Sequence, residues 1–317
     1  MYEDYYGFTE KPFSLTPDPK YLFKSASHAS AFDLLQYAIK RREGFVVITG
    51  DIGTGKTTLC RALLGELDRR TFTALVLNPF LSEDDLLRLV LQDFGVVSRD
   101  EIKRGRLAGV TKQAMIETLN EFLLSLKAIG AQALLIIDEA QNLPLHVLEQ
   151  IRILSNLETD KEKLLQIVLV GQSNLKDLLR RPEVRQLDQR VSIRYDLKPL
   201  SPEETSAYVM HRVSVAGGSA AASFSPKALA RVHRYTGGIP RLINLLCDRA
   251  LLAGYSAHSS RIERTFVDSA AASLELELSR RSARAWLRQR LAAFTAGMLV
   301  TATVAAGAAA MWHYHLL

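Results

Sequence analysis

Residues 45–64 read "FVVITGDIGTGKTTLCRALL". A short apolar, β-branched run leads straight into Gly50. Gly50, Gly55, Lys56 and Thr57 then satisfy the spacing G-x-x-x-x-G-K-[ST] of a phosphate-binding loop. Such a loop works because its glycines let backbone N–H groups wrap phosphate oxygens at the start of a helix, where the peptide dipoles add positive potential. The context it requires is present, with a strand-like run before it and a helical pattern after it. This assigns nucleotide contact to Gly50, Asp51, Ile52, Gly53, Thr54, Gly55, Lys56, Thr57 and Thr58. Lys56 is expected to reach the β- and γ-phosphates of ATP, and Thr57 to offer its hydroxyl to Mg²⁺.

Outward from this stretch, short β-branched runs recur at 73–77 ("TALVL"), 133–137 ("ALLII") and 166–170 ("QIVLV"), with a weaker one at 191–197 ("VSIRYDL"). Each is followed by a longer helical pattern, which predicts an α/β core with a parallel sheet flanked by helices. From Ser201 the strands are expected to stop. "SPEETSAYVMHRV" carries a Ser N-cap, Pro202 at the first helical position and Glu204 completing a capping box. A second helix starts at "SPKALARVHRYTGG" and ends at Gly237 and Gly238, and a third follows "IPR". The chain therefore divides into an N-terminal segment (1–27), a nucleotide-binding core (28–200), a small all-helical lid (201–275), a basic linker (276–290), an apolar stretch (291–312) and a short tail (313–317).

"ALLIIDEAQ" places Asp138 and Glu139 at the end of an apolar strand, so two carboxylates emerge at the edge of a buried sheet. Asp138 is expected to hold Mg²⁺ and Glu139 to polarise the attacking water. An acidic turn that merely caps the next helix is the alternative, and pairing with the loop weighs against it. Gln172, closing "VLVGQ", is expected to put an amide near the γ-phosphate or the water, a solvated strand end being the alternative. "RPEVRQLDQRV" holds Arg185 and Arg190, each a candidate finger for a neighbouring subunit's nucleotide. Arg241 in "GGIPR" is placed to reach the phosphates from the lid of its own chain. His28 is a candidate for the base pocket.

The net charge of +6 is concentrated: residues 280–290, "RRSARAWLRQR", hold five arginines and no acid, leaving about +1 elsewhere. A protein using a broad phosphate-binding surface would spread that charge over its folded part, so no nucleic-acid partner is expected. The next 22 residues, 291–312, carry no charge and predict a helix long enough to span a bilayer. The arginines before it predict an N-terminal body in the cytoplasm. Its nine alanines also suit a buried helix. The N-terminus has no signal-peptide pattern, and the two cysteines, Cys60 and Cys247, suggest neither a disulfide framework nor a zinc site.

The order of phosphate loop, Asp-Glu strand end, polar strand end, arginine and helical lid resembles the AAA+ ATPases. More narrowly, "YYGFTEKPFSLTPDPKYLF", "LIIDEAQNLPLHVLEQIRILSNLET", "RPEVRQLDQR" and "GGIPRLINLLCDRALL" resemble the general secretion pathway A ATPases, close to pilus-biogenesis and exosortase-associated ATPases. The likeness runs from Met1 to about residue 275. It implies an inner-membrane protein with one span, a homo-oligomer, and a membrane-bound secretion or pilus-assembly partner. It also implies that Thr16–Phe23 pack near the adenine, and that Lys56, Asp138 and Glu139 take the roles given above. The family's periplasmic segment has no counterpart in "HYHLL", 313–317. A DNA-transposition ATPase, or a scaffold that binds nucleotide with little hydrolysis, are the competing readings.

Overall fold

The computed structural model describes residues 1–276, apart from 106, 108, 161 and 218–222. Five strands, β1 (Phe45–Gly50), β2 (Thr71–Val76), β3 (Gln132–Ile137), β4 (Leu165–Gly171) and β5 (Ile193–Leu197), form one sheet in the order β2-β3-β4-β1-β5. Every pairing in it is parallel. β1 and β4 are buried along their whole length and β3 at all but its first residue, as expected of strands covered on both faces. β2 begins at Thr71, two residues before the apolar run that announces it. As an edge strand it keeps most of its residues only half buried.

Successive side chains enter opposite layers. Phe45 and Val47 join a core built with Leu86, Leu87, Leu119 and Leu148, from helices Glu83–Asp93, Lys112–Ala128 and Leu145–Leu154. Val46 and Ile48 join the other, with Phe32 and Leu35 of helix Ala26–Lys40 and Leu59 and Leu63 of helix Lys56–Glu66. Each such aliphatic side chain contributes about 1.5–3 kcal/mol by leaving water. The register sets the site: Thr49 pairs with Gly171 and Ile137 with Leu169. The ends of β1, β3 and β4 therefore open onto one edge.

The lid carries helices Pro202–Val215, Pro226–Thr236, Pro240–Ser256 and Arg264–Ser273. Its first helix is capped by Ser201 and Glu204 reciprocally, and its second ends on Gly237 at φ 59°. The lid is not all-helical, however. Ser223–Phe224 and Arg261–Ile262 pair as two short parallel strands, β6 and β7. Two residues are too few to carry an alternation, so no pattern announced them. At the junction with the core, Gly238 (φ 77°) lies so close to Leu200 that a Cβ would sit 2.0 Å from the Leu200 carbonyl oxygen. Only glycine fits there.

The N-terminal segment is not a separate unit. Tyr2, Tyr6, Phe8 and Phe13 belong to the hydrophobic core of the lid. The Tyr6 hydroxyl donates to the Ser259 carbonyl at 2.9 Å, and burial pushes its phenol up to about 12. Among the described residues no helix is long and apolar enough to cross a membrane. The arginine block 280–290 and the expected span 291–312 lie outside the described residues.

Candidate nucleotide site

The phosphate loop leaves β1 at Gly50 and turns through Gly53 (φ 80°) and Gly55 (φ 99°) into helix Lys56–Glu66. These left-handed turns are open to glycine and strained for other residues. Lys56 is buried, and its ammonium donates to the carbonyls of Gly50 and Asp51, both at 3.0 Å. Burial pulls its pKa below the ordinary lysine range, opposed by the charges of Glu139, Asp138 and Asp51. His28, also buried, supports the loop from beneath: Nε2 donates to the Thr54 carbonyl at 2.9 Å, leaving Nδ1 to accept from the Ser25 hydroxyl at 2.7 Å. Burial lowers its pKa, which favours this neutral tautomer. His28 thus lines the pocket and holds the loop as well. Thr58, one turn into the helix, lines the same pocket.

Asp138 leaves β3 beside the loop, and its Oδ2 accepts from the Thr57 hydroxyl at 2.5 Å. This pair of hard oxygen donors fits Mg²⁺, which takes few protein ligands and shares the rest with phosphate and water. Glu139 follows at φ 51°, left-handed and unusual for a residue with a side chain. Its Oε2 accepts from Gln141 Nε2 at 2.6 Å and from Gln172 Nε2 at 3.4 Å. Gln172 therefore lies beside the carboxylate that the strand end exposes.

Above the loop, the Arg241 backbone N–H donates to the Gly53 carbonyl at 3.1 Å, docking the start of helix Pro240–Ser256 on the loop. A Cβ on Gly53 would lie 2.6 Å from the Arg241 Cβ. The exposed Arg241 and Ile52 line the mouth of the pocket. A cavity of about 190 Å³ lies between the loop, the lid and residues Ser14–Phe23, where Thr16, Pro17, Tyr21 and Phe23 form one wall. Arg212 secures that wall. Its buried guanidinium donates to the carbonyls of Pro12 at 2.5 Å and Ser14 at 3.3 Å, and lies 4.3 Å from the centre of the Tyr21 ring. Asn244 accepts from the Tyr208 hydroxyl at 2.9 Å behind it.

Arg190 is elsewhere. It donates to the Ser155 hydroxyl at 3.2 Å and lines a separate cavity with Gly44 and Phe45, at the opposite end of β1 from the loop. β1 holds them apart by roughly 17 Å at 3.3 Å per residue. Any part it plays in hydrolysis needs the pocket of another copy. Arg185 is exposed on the same short helix region.

Sequence reasoning missed Gln141, Arg212, Tyr208 and Asn244. Gln141 adjoins a motif but has no pattern of its own. The other three sit on lid helices whose apolar spacing speaks only of packing.

The AAA domain family matches residues 39–179. General secretion pathway protein A of Aeromonas hydrophila is 45% identical over 262 residues, which are 83% of this chain and 46% of that protein. The chain thus spans about half the length of this curated relative. Among solved structures, the ORC2 protein of Aeropyrum pernix superposes with a TM-score of 0.62 at 15% identity, covering 84% of this chain and 72% of that one. The RuvB Holliday junction branch migration motor of Thermotoga maritima gives 0.53 at 19%, covering 80% and 70%. Both share the fold alone.

Proposed function

The chain is a homologue of General secretion pathway protein A and carries an AAA domain, and from that premise we propose that it is a membrane-anchored ATPase whose nucleotide cycle drives assembly of a bacterial envelope export complex. The observation that carries the chemistry is the convergence of Lys56, the Thr57–Asp138 pair and Glu139 on one pocket closed by the lid. Lys56 leaves the Gly50 and Asp51 carbonyls to meet the β- and γ-phosphates of ATP. Thr57 and Asp138 would hold Mg²⁺, which when bound neutralises charge on those phosphates. Glu139 orients a water and takes its proton as the water oxygen bonds the γ-phosphorus. The bond to the β-γ bridging oxygen breaks, and that oxygen leaves with ADP, carrying the electron pair. In this reading Arg241, on the pocket lining, turns its guanidinium to the transferring group, and Gln172 acts from beside Glu139, whose carboxylate its amide meets at 3.4 Å.

In this reading Arg190 completes the pocket of a neighbouring subunit, so the working form is a homo-oligomer. Anchoring by 291–312 in the inner membrane, with the ATPase body in the cytoplasm, would confine the subunits to a plane and raise their effective concentration. A membrane-bound secretion or pilus-assembly protein is the partner on which the cycle acts.

The test uses the full chain in detergent-solubilised membranes, assayed for ATP turnover and co-purifying membrane proteins. Lys56→Ala and Arg190→Ala subunits, each inactive, should recover activity when mixed, because a mixed interface pairs an intact loop with an intact finger. A mixture that forms oligomers and stays inactive removes Arg190 from the mechanism. A parent chain that turns over no ATP removes the ATPase reading.

A further inference from the structure

The ends of β3 and β4 are tied by one side chain that the mechanism above does not use. Gln141 Nε2 donates to Glu139 Oε2 at 2.6 Å, while its Oε1 accepts the backbone N–H of Gln172 at 2.9 Å. Only one orientation of this amide works. Turned over, its carbonyl would face a carboxylate and its NH₂ a backbone N–H. Gln172 Nε2 reaches the same Glu139 oxygen at 3.4 Å, a longer contact. The amide also lies close over β4, since a Cβ on Gly171 would stand 2.7 Å from Gln141 Oε1. The backbone at Glu139, in the left-handed region, turns its side chain into this arrangement.

We propose that Gln141 is a positioning residue for hydrolysis: it fixes the Glu139 carboxylate and ties it to the Gln172 backbone, so that movement of the β4 end moves the base. This rests on the reading of Glu139 as the base. Gln141 is absent from the residues lining the nucleotide pocket, so its effect passes through Glu139. Misplacing a reacting group by about 1 Å can slow a reaction on the order of 10²-fold without weakening substrate binding.

Gln141→Leu keeps the approximate volume and removes both hydrogen bonds. The expected result is a kcat about ten- to a hundredfold lower, with KM and directly measured affinity for a fluorescent ATP analogue within about threefold of the parent. In a Glu139→Gln background the same change should cost nothing further in single-turnover assays, because no base remains to be aimed. Gly171→Ala is the second variant: its methyl would press on the Gln141 amide oxygen at 2.7 Å and on Leu175 Cδ2 at 2.9 Å, and it should reproduce the kcat loss at parental affinity. Thermal melting of each variant identifies any that fail to fold, and the other then decides. An active parent with an unaffected Gln141→Leu enzyme, or a loss that persists undiminished without Glu139, overturns the proposal. An active parent whose Glu139→Gln variant is equally active overturns the reading beneath it.

Discussion

The two ends of the nucleotide pocket are built in different ways. The phosphate end comes from consecutive residues: a loop of glycines in left-handed turns, one buried ammonium, and carboxylates at a strand end beside it. The end proposed to take the base is assembled from residues far apart in the chain, with Tyr21 on the N-terminal segment, Tyr208 and Arg212 on one lid helix and Asn244 on another. The phosphate end rides on the sheet, whereas the base end rides on the lid, because Tyr2, Tyr6, Phe8 and Phe13 root the N-terminal segment in the lid core. Contacts that cross between them include the Arg241 N–H on the Gly53 carbonyl at 3.1 Å, Arg61 donating to the Pro17 carbonyl at 3.1 Å, and Glu204 accepting from the Ala26 N–H at 2.8 Å. On the proposed function a nucleotide would bridge the two bodies, and a change at one end should be separable from a change at the other.

The largest effect is expected at the phosphate end. Lys56→Ala removes the fixed cation and should cut ATP affinity by at least about 100-fold, since a charged hydrogen bond contributes about 1.5–3 kcal/mol and more than one is lost. Titration with ATP and with adenosine would separate the ends. Adenosine binding should persist, and its loss would show that the two ends do not act apart.

At the base end, Arg212→Met keeps the stem but drops the hydrogen bonds to Pro12 and Ser14. The expectation is a KM for ATP raised about tenfold with kcat within about twofold, and faster proteolytic cleavage between residues 1 and 23. Steady-state kinetics check this. A fall in kcat at unchanged KM would place Arg212 with the chemistry instead.

A smaller effect concerns the strand that supports the loop. Asp196 accepts from the Thr49 hydroxyl at 2.9 Å and pairs with Lys176 at 2.9 Å and Lys198 at 2.6 Å. Burial alone would raise its pKa. The hydrogen bonds from the two lysines and Thr49 outweigh it and bring the carboxyl down to about 2. A depressed pKa stabilises the fold above the unfolded value near 3.9 and loses that contribution as pH falls toward 2. With the site a third exposed, screening holds the effect to about 1 kcal/mol or less. Asp196→Asn should therefore lower Tm slightly at pH 7, and the gap should close between pH 4 and pH 2. A gap unchanged by pH would mean that the charge does not matter.

The contrast between the ends also explains what could be read in advance. Gly50 to Thr58, Asp138 and Glu139 stand in short runs, where chemistry and backbone geometry leave local marks. The four deeply apolar or β-branched runs announce their strands for the same reason. Arg212 and Asn244 act through folding, which brings residues 200 positions apart into contact, and no local spacing encodes that. Gln141 stands two residues after the carboxylate pair with no pattern of its own, and only the register of β3 on β4 sets it against Gln172. β6 and β7, two residues each, lie below what periodicity can mark.

The most direct measurement is ATP affinity and turnover of Glu139→Gln beside the parent. The amide keeps the shape of the side chain and cannot take a proton from water. The role of Glu139 as base predicts affinity within about threefold of the parent and turnover lower by at least about 10²-fold. Turnover at the parental rate would contradict it, as would loss of ATP binding in a variant that melts like the parent.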